Sequence, residues 1–222
     1  ILVNARSVTG SATIPEGVRV IAPRAFFGSA ITDISFPSTL QIIGEEAFIE
    51  SASLTSVVIP NTVTDLGFGA FQSCASLQSV VLSNQMDRVP MFAFMGCTAL
   101  TSVSIPVGIT AIGDSAFSGC SLLESVVLPE GLTLIDVRAF EYCSGLTSVT
   151  LPSTLKTIQM GAFSFVTSLT TIVIPLSVTY VGDFAFDGSY DLTIHIEAET
   201  VPSSWSPYWD ASSGSFITGY SA

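Results

Sequence analysis

The sequence predicts a solenoid, mainly parallel β, of about eight coils of 23 residues with short helical or 3₁₀ turns. Two periodic markers and one compositional fact lead there. The dipeptide Ala-Phe recurs at Ala25-Phe26, Ala47-Phe48, Ala70-Phe71, Ala93-Phe94, Ala116-Phe117, Ala139-Phe140, Ala162-Phe163 and Ala185-Phe186, first 22 and thereafter 23 residues apart. Proline keeps the same phase, ten residues ahead of each Ala-Phe, at Pro15, Pro37, Pro60, Pro106, Pro129, Pro152 and Pro175, with Ser83 in the one missing place. Charged residues make up 11% of the chain and apolar residues 48%. An ordinary soluble domain carries about 25% charge, so burial and backbone pairing must hold this chain together.

The unit reads Leu-x-x-Val-x-Ile-Pro-x-x-Val-x-x-Ile-Gly-x-x-Ala-Phe-x-x-Cys-x-x, most fully in residues 77–99 and 100–122. In Ser56-Val57-Val58-Ile59, the two-residue period of a strand turns Val57 and Ile59 inward and Ser56 and Val58 outward. Pro60 ends that strand because it has no N–H for the ladder. Val63 and Leu66, three apart, read as a short extended piece on the far wall. Gly44, Gly67, Gly113 and Gly182 mark a bend where a Cβ would be awkward. Ala-Phe is expected on a short helical or 3₁₀ turn, the alanine allowing close approach and the phenylalanine filling the interior. One coil cannot bury its own apolar side, so coils must stack, with strands about 4.8 Å apart. The eight phenylalanines then form an internal spine, each worth roughly 1.5–3 kcal/mol on burial.

The ends depart from the unit. Residues 1–196 are expected to form the solenoid, with a degenerate first coil in which Ala12 and Ile14 keep strand positions. Leu192 to Ile196 start a ninth strand. Residues 197–222 read as a C-terminal cap, in which Trp205, Pro207, Tyr208 and Trp209 close the last coil as an aromatic lid. No linker or second domain is evident. Polar residues and glycines interrupt every apolar run short of the ~20 residues of a membrane helix, and insertion into a membrane is not expected within this chain. The start at Ile1, without Met or leader, reads as a piece of a longer protein.

Six basic against eighteen acidic residues leave a formal charge of −12. That balance argues against nucleic-acid phosphates, which need clustered Lys and Arg, and against anionic membrane surfaces. No cofactor or metal site is expected. His195 is the single histidine, no Cys-x-x-Cys exists, and no nucleophile elbow, phosphate loop or dinucleotide fingerprint occurs. Cys74, Cys97, Cys120 and Cys143 share one repeat position, three after the phenylalanine, where Ser29, Ser51 and Ser189 stand in other coils. Stacked side chains pointing the same way suit a bridge poorly, so they read as free buried thiols. The densest carboxylates, Glu45-Glu46-Glu50 and Asp183, Asp187, Asp191, Glu197 and Glu199, read as a solvated acidic edge.

Stacking turns the outward strand positions into columns. The candidate partner-contact face comprises Ser56, Val58, Ser79, Val81, Ser102, Ser104, Ser125, Val127, Ser148, Thr150, Thr171 and Val173. It is small, hydroxyl-rich, nearly uncharged and free of aromatic rings, which disfavours sugar binding and suits a flat protein partner. Gln78, Glu124 and Asp33 interrupt the columns, which disfavours an ice-binding lattice. The coil with Ser83 also has Pro90 in place of Gly, and it adds Met91, Phe92 and Met95 around its Ala-Phe, with Phe68 one coil earlier. These four form either an exposed apolar patch for a contact or the packing of an irregular coil.

The unit resembles the BspA-like class of leucine-rich repeats over residues 12–196, and His195 to Trp209 resemble the C-terminal end of bacterial members. The resemblance implies a leucine-rich-repeat solenoid in a secreted or bacterial cell-surface protein. Some relatives are adhesins for host matrix proteins or other cells, and the family offers no catalytic residues to carry over. The expected function is a non-catalytic binding or adhesion module that is not an enzyme and meets a protein partner through the repeat face. The alternative is a structural protein self-assembling into extracellular filaments or layers, because solenoid ends leave strands unpaired.

Overall fold

The computed structural model describes residues 1–210 and 215–220. Two parallel walls run the length of the solenoid. The front wall is built from Thr9–Thr13, Ala30–Ser35, Ser56–Val58, Ser79–Val81, Ser102–Ser104, Ser125–Val127, Ser148–Thr150, Thr171–Ile174, Thr193–Ile196 and Ser215–Thr218. The back wall consists of two-residue strands, from Val20–Ile21 and Ile42–Ile43 through Asp65–Leu66 and Arg88–Val89 to Tyr180–Val181. Every strand pairing is parallel, and the register joins equivalent repeat positions, such as Ser56 with Ser79 and Ser79 with Ser102. Inward–outward alternation follows the sequence pattern: Val57 is 2% exposed and Val58 63%.

The third wall corrects the expectation of helical or 3₁₀ turns. Among the described residues there is no helix of either kind. Around Ala47-Phe48 the amides alternate in role. The N–H groups of Glu46, Phe48 and Glu50 donate to the carbonyls of Phe68, Ala70 and Gln72 in the next coil. Those of Ala47, Ile49 and Ser51 donate back to Gly44, Glu46 and Phe48. Glu46 and Glu50 have φ of 51° and 60°, a left-handed setting that no right-handed helix contains. The same two positions, one before Ala and two after Phe, are left-handed in all eight coils. The turn therefore makes its own ladder between coils and leaves few backbone groups unpaired on any side.

Inside, the eight phenylalanines stack with ring centroids 4.7 to 5.7 Å apart and planes within 13° of parallel. Trp209 ends the stack, its ring edge-on to Phe186 at 6.2 Å and 89°, with Trp205 against it at 5.2 Å. Residues of the C-terminal segment also extend the sheet, since Ser215–Thr218 pairs in register with Thr193–Ile196.

Seams interrupt both walls. The back wall divides between Asp65–Leu66 and Arg88–Val89, and the cause is chemical. Gly67, Gly113, Asp136, Gln159 and Gly182 each donate an N–H to the preceding coil, whereas Pro90 at that place has none to give. The front wall parts between Ala30–Ser35 and Ser56–Val58, although Thr55 still donates to Thr32 there. It parts again between Ser148–Thr150 and Thr171–Ile174. Thr147 donates to Glu124 and Thr193 to Thr170, but no such bond joins Thr170 to Thr147.

Candidate functional site

The columns read from the sequence lie where stacking places them. Ser56, Val58, Ser79, Val81, Ser102, Ser104, Ser125, Val127, Ser148, Thr150 and Thr171 are exposed on the front wall, and Val173 is half-buried. The neighbouring threonines serve the fold. Thr55, Thr101 and Thr147 hydroxyls donate to the carbonyls of Thr32, Gln78 and Glu124 at 3.1 to 3.2 Å. The serine column differs, because the hydroxyls of Ser56, Ser79, Ser102, Ser125 and Ser148 make no bond within the described residues. The front wall thus offers a row of open hydroxyls beside a second row, Val58, Val81, Ser104, Val127 and Thr150, in which valines predominate. At its second seam a shallow cleft opens, lined by Val149, Thr150, Leu151, Ile172, Val173 and Glu197. Val149 is half-buried there, while its counterparts Val57, Val80, Val103 and Val126 are buried.

Phe68 and the three residues of the irregular coil do not share one environment. Phe68 and Met91 are exposed, and they occupy the same position in adjacent coils, since the Gly69 N–H donates to the Met91 carbonyl at 3.0 Å. Phe92, in the left-handed position with φ 57°, and Met95 are half-buried.

The cysteines form the interior column expected of them and are all free thiols. Each S–H donates to a phenylalanine carbonyl of the preceding coil, Cys74 to Phe48, Cys97 to Phe71, Cys120 to Phe94 and Cys143 to Phe117, at 3.2 to 3.3 Å. Ser51 does the same to Phe26 at 2.8 Å, so serine and cysteine serve this position alike, while Val166 fills it in one coil without a donor. Burial pushes the Cys74 and Cys143 thiols up to about 12 and those of Cys97 and Cys120 well above their ordinary value. Such thiols stay protonated and inert at neutral pH.

His195 faces outward in strand Thr193–Ile196, its ring centroid 4.4 Å from that of Tyr220, and its Nδ1 is buried with no hydrogen-bond partner. Among the described residues no carboxylate is hydrogen-bonded to it. Among the described residues no three His, Cys, Asp or Glu side chains group as metal ligands would, and no helix is long and apolar enough to cross a membrane.

One feature escaped the sequence pattern. On the turn wall of the later coils, Tyr142 stacks on Phe165 at 4.7 Å and Phe184 on Tyr208 at 6.3 Å. They occupy variable places of the unit, where no periodic signal marks them. Gly188 was the available clue: a Cβ there would lie 2.4 Å from the Phe165 ring, so the glycine makes room for an aromatic neighbour.

A parallel solenoid with a short-stranded front wall and a stacked phenylalanine interior is a leucine-rich-repeat architecture. The chain belongs to the BspA type leucine rich repeat family, which matches it in six copies over residues 5–91 and 87–203. Among solved structures it is similar to a leucine rich cell surface protein of Faecalibacterium prausnitzii, with 25% identity and a TM-score of 0.59 over 96% of this chain and 60% of that one. It is also similar to a leucine-rich repeat protein from Eubacterium ventriosum, with 26% identity and a TM-score of 0.58 over 89% of this chain and 45% of that one. A T. pallidum leucine rich repeat protein, 24% identical with a TM-score of 0.56 over 86% of this chain and 81% of that one, shares the fold. The chain therefore spans 60% and 45% of the first two proteins. No curated protein matches it.

Proposed function

We propose that the chain is a non-catalytic binding module of a secreted or bacterial cell-surface protein, contacting a protein partner through the front wall. The observation that carries this reading is the pairing of open serine hydroxyls with exposed valines, 63% at Val58 and 73% at Val127, on a nearly uncharged ladder. Such a surface loses little on desolvation and supplies hydrogen bonds at a fixed spacing, which suits a flat protein surface. The naming of the F. prausnitzii relative as a cell surface protein supports the location. The test is capture of the chain on an array of purified host extracellular-matrix proteins, beside a variant with Val58→Asn and Val127→Asn. Binding that falls about tenfold in the variant at an unchanged melting temperature is expected, and binding indifferent to those changes overturns the reading.

A second reading is self-assembly into extracellular filaments or layers. It is favoured by the edge strand Ser215–Thr218, where Phe216 and Ile217 are exposed on a strand that pairs on one side only among the described residues. Light scattering at high concentration separates the two: a persistent monomer removes the second reading, and growth in mass with concentration removes the first as a sufficient account.

A further inference from the structure

One interior position of the front wall changes size only at the two ends of the solenoid. In register it passes from Ala12 to Ile34 at the head and from Ile172 through Ile194 to Phe216 at the tail. The coils between carry valine there, as at Val57, Val80 and Val103. The smallest side chain of the column thus stands at one end and the largest at the other. Ile194 is fully buried, whereas Phe216 is 47% exposed. Its ring meets Trp209 on one side, at 5.6 Å, and projects at the tail like a knob. At the head Ala12 fills its place only in part, and a Cβ on nearby Gly10 would meet no atom within 4 Å.

Backbone and charge match in the same sense as size. Among the described residues Thr9–Thr13 pairs only with Ala30–Ser35, and Ser215–Thr218 only with Thr193–Ile196. Every strand of the wall runs the same way, so a second copy set further along the solenoid axis offers its head strand parallel to the tail strand of the first. Residues 1–24 hold Arg6, Arg19 and Arg24 against Glu16, a formal charge of +2. Arg24 pairs with Glu46, and Arg6 and Arg19 are exposed. Residues 187–222 hold Asp187, Asp191, Glu197, Glu199 and Asp210 with no lysine or arginine, a charge of −5. Two tails facing each other would set ring against ring and acid against acid, so the head is the partner that both size and charge select.

We infer that Ser215–Thr218 of one chain seats against Thr9–Thr13 of a second copy, Phe216 filling the place that Ala12 leaves, so that solenoids join head to tail. This rests on the self-assembly reading and specifies its contact. Such a contact uses two different surfaces and does not close on itself, so it builds an open row, along which the front wall stays uncovered.

The test is sedimentation velocity of the whole chain from micromolar to millimolar concentration. Mass and frictional ratio should rise together in the unaltered chain. Ala12→Glu at the head and Phe216→Glu at the tail should each weaken association about tenfold or more. An equimolar mixture of the two variants should form dimers and nothing longer, because it retains one sound tail and one sound head per pair. Thermal melting shows that each variant is folded, and Phe216→Ala, which removes the ring without adding charge, stands in for a Phe216→Glu that melts early. Growth in mass that neither variant weakens would overturn this contact while leaving self-assembly standing. Folded variants whose mixture stays monomeric would overturn it as well. A monomer at every concentration removes the self-assembly reading and this contact with it.

Discussion

Coils 77–99 and 100–122 share an interior and differ on their surface. Phe94 and Cys97 in the first, and Phe117 and Cys120 in the second, are fully buried in the same stack. Away from the phenylalanine stack, the first has Ser83, Pro90, Met91, Phe92 and Met95 where the second has Pro106, Gly113, Asp114, Ser115 and Ser118, of which Ser83, Ser115 and Ser118 are buried. The consequences are local. Pro90 removes a rung that Gly113 makes to Val89 at 2.9 Å, and the back wall divides there. Ser83 replaces the missing proline by accepting from the Gln85 N–H at 3.1 Å and donating to the Val63 carbonyl at 2.6 Å. Neither change reaches the phenylalanine stack, whose spacing across this pair of coils is 5.5 Å. Interior and surface are thus specified separately, which is what lets a repeat carry function on its walls without losing its core.

Alkali should give the largest effect. The thiols are protonated in the folded chain with values raised above the ordinary 9.0, so the folded state holds more protons than the unfolded one above that pH. Stability is therefore full below about pH 9 and falls as pH rises toward 12, by about 1.4 kcal/mol per pH unit for each thiol. Melting curves from pH 8 to 11 should show this, and Cys97→Ala and Cys120→Ala should flatten the fall equally; a change in only one would break the likeness of the two coils.

Phe94→Ala and Phe117→Ala should each cost about 3–5 kcal/mol in urea unfolding, because each leaves a gap in a stack closed on both sides. A Phe117→Ala melting shift under about two degrees would deny the interior spine. Gly113→Ala should cost about 1–3 kcal/mol, since its Cβ would stand 2.7 Å from the Met91 backbone nitrogen. Pro90→Gly should change stability by less than about 1 kcal/mol, because the restored hydrogen bond is offset by the greater freedom of the unfolded chain. In that variant, a new amide at the substituted position that is protected in hydrogen exchange would sharpen the explanation of the seam, and a freely exchanging one would weaken it.

Most of the fold was legible because stacking forces repetition. Ala-Phe and proline set the coil length, the alternation in Ser56 to Ile59 set the front wall, and the shared position of the cysteines set their column. The turn departs from the helical expectation because the left-handed position before Ala holds glycine only at Gly69 and Gly161. At Arg24, Glu46, Phe92, Ser115, Arg138 and Phe184 the inter-coil ladder imposes a conformation that local preference opposes, and no single coil reveals that. Strand Ser215–Thr218 carries no periodic signal because it pairs in register without the Leu and Ala-Phe markers. The front-wall columns followed from period alone, whereas Tyr142 with Phe165 and Phe184 with Tyr208 are set by neighbours across coils at places the repeat leaves free.

Residue-resolved hydrogen exchange at Phe94 and Phe117 tests the separation of interior from surface most directly. Both amides donate to the next coil, to Ala116 and Ala139, at 2.9 Å. If the core is uniform through the irregular coil, the two should exchange with protection within about tenfold of each other, at the level of global unfolding. Phe94 exchanging about a thousandfold faster would mean that Pro90 and Ser83 loosen the core as well as the wall, and would contradict the separate specification of the two.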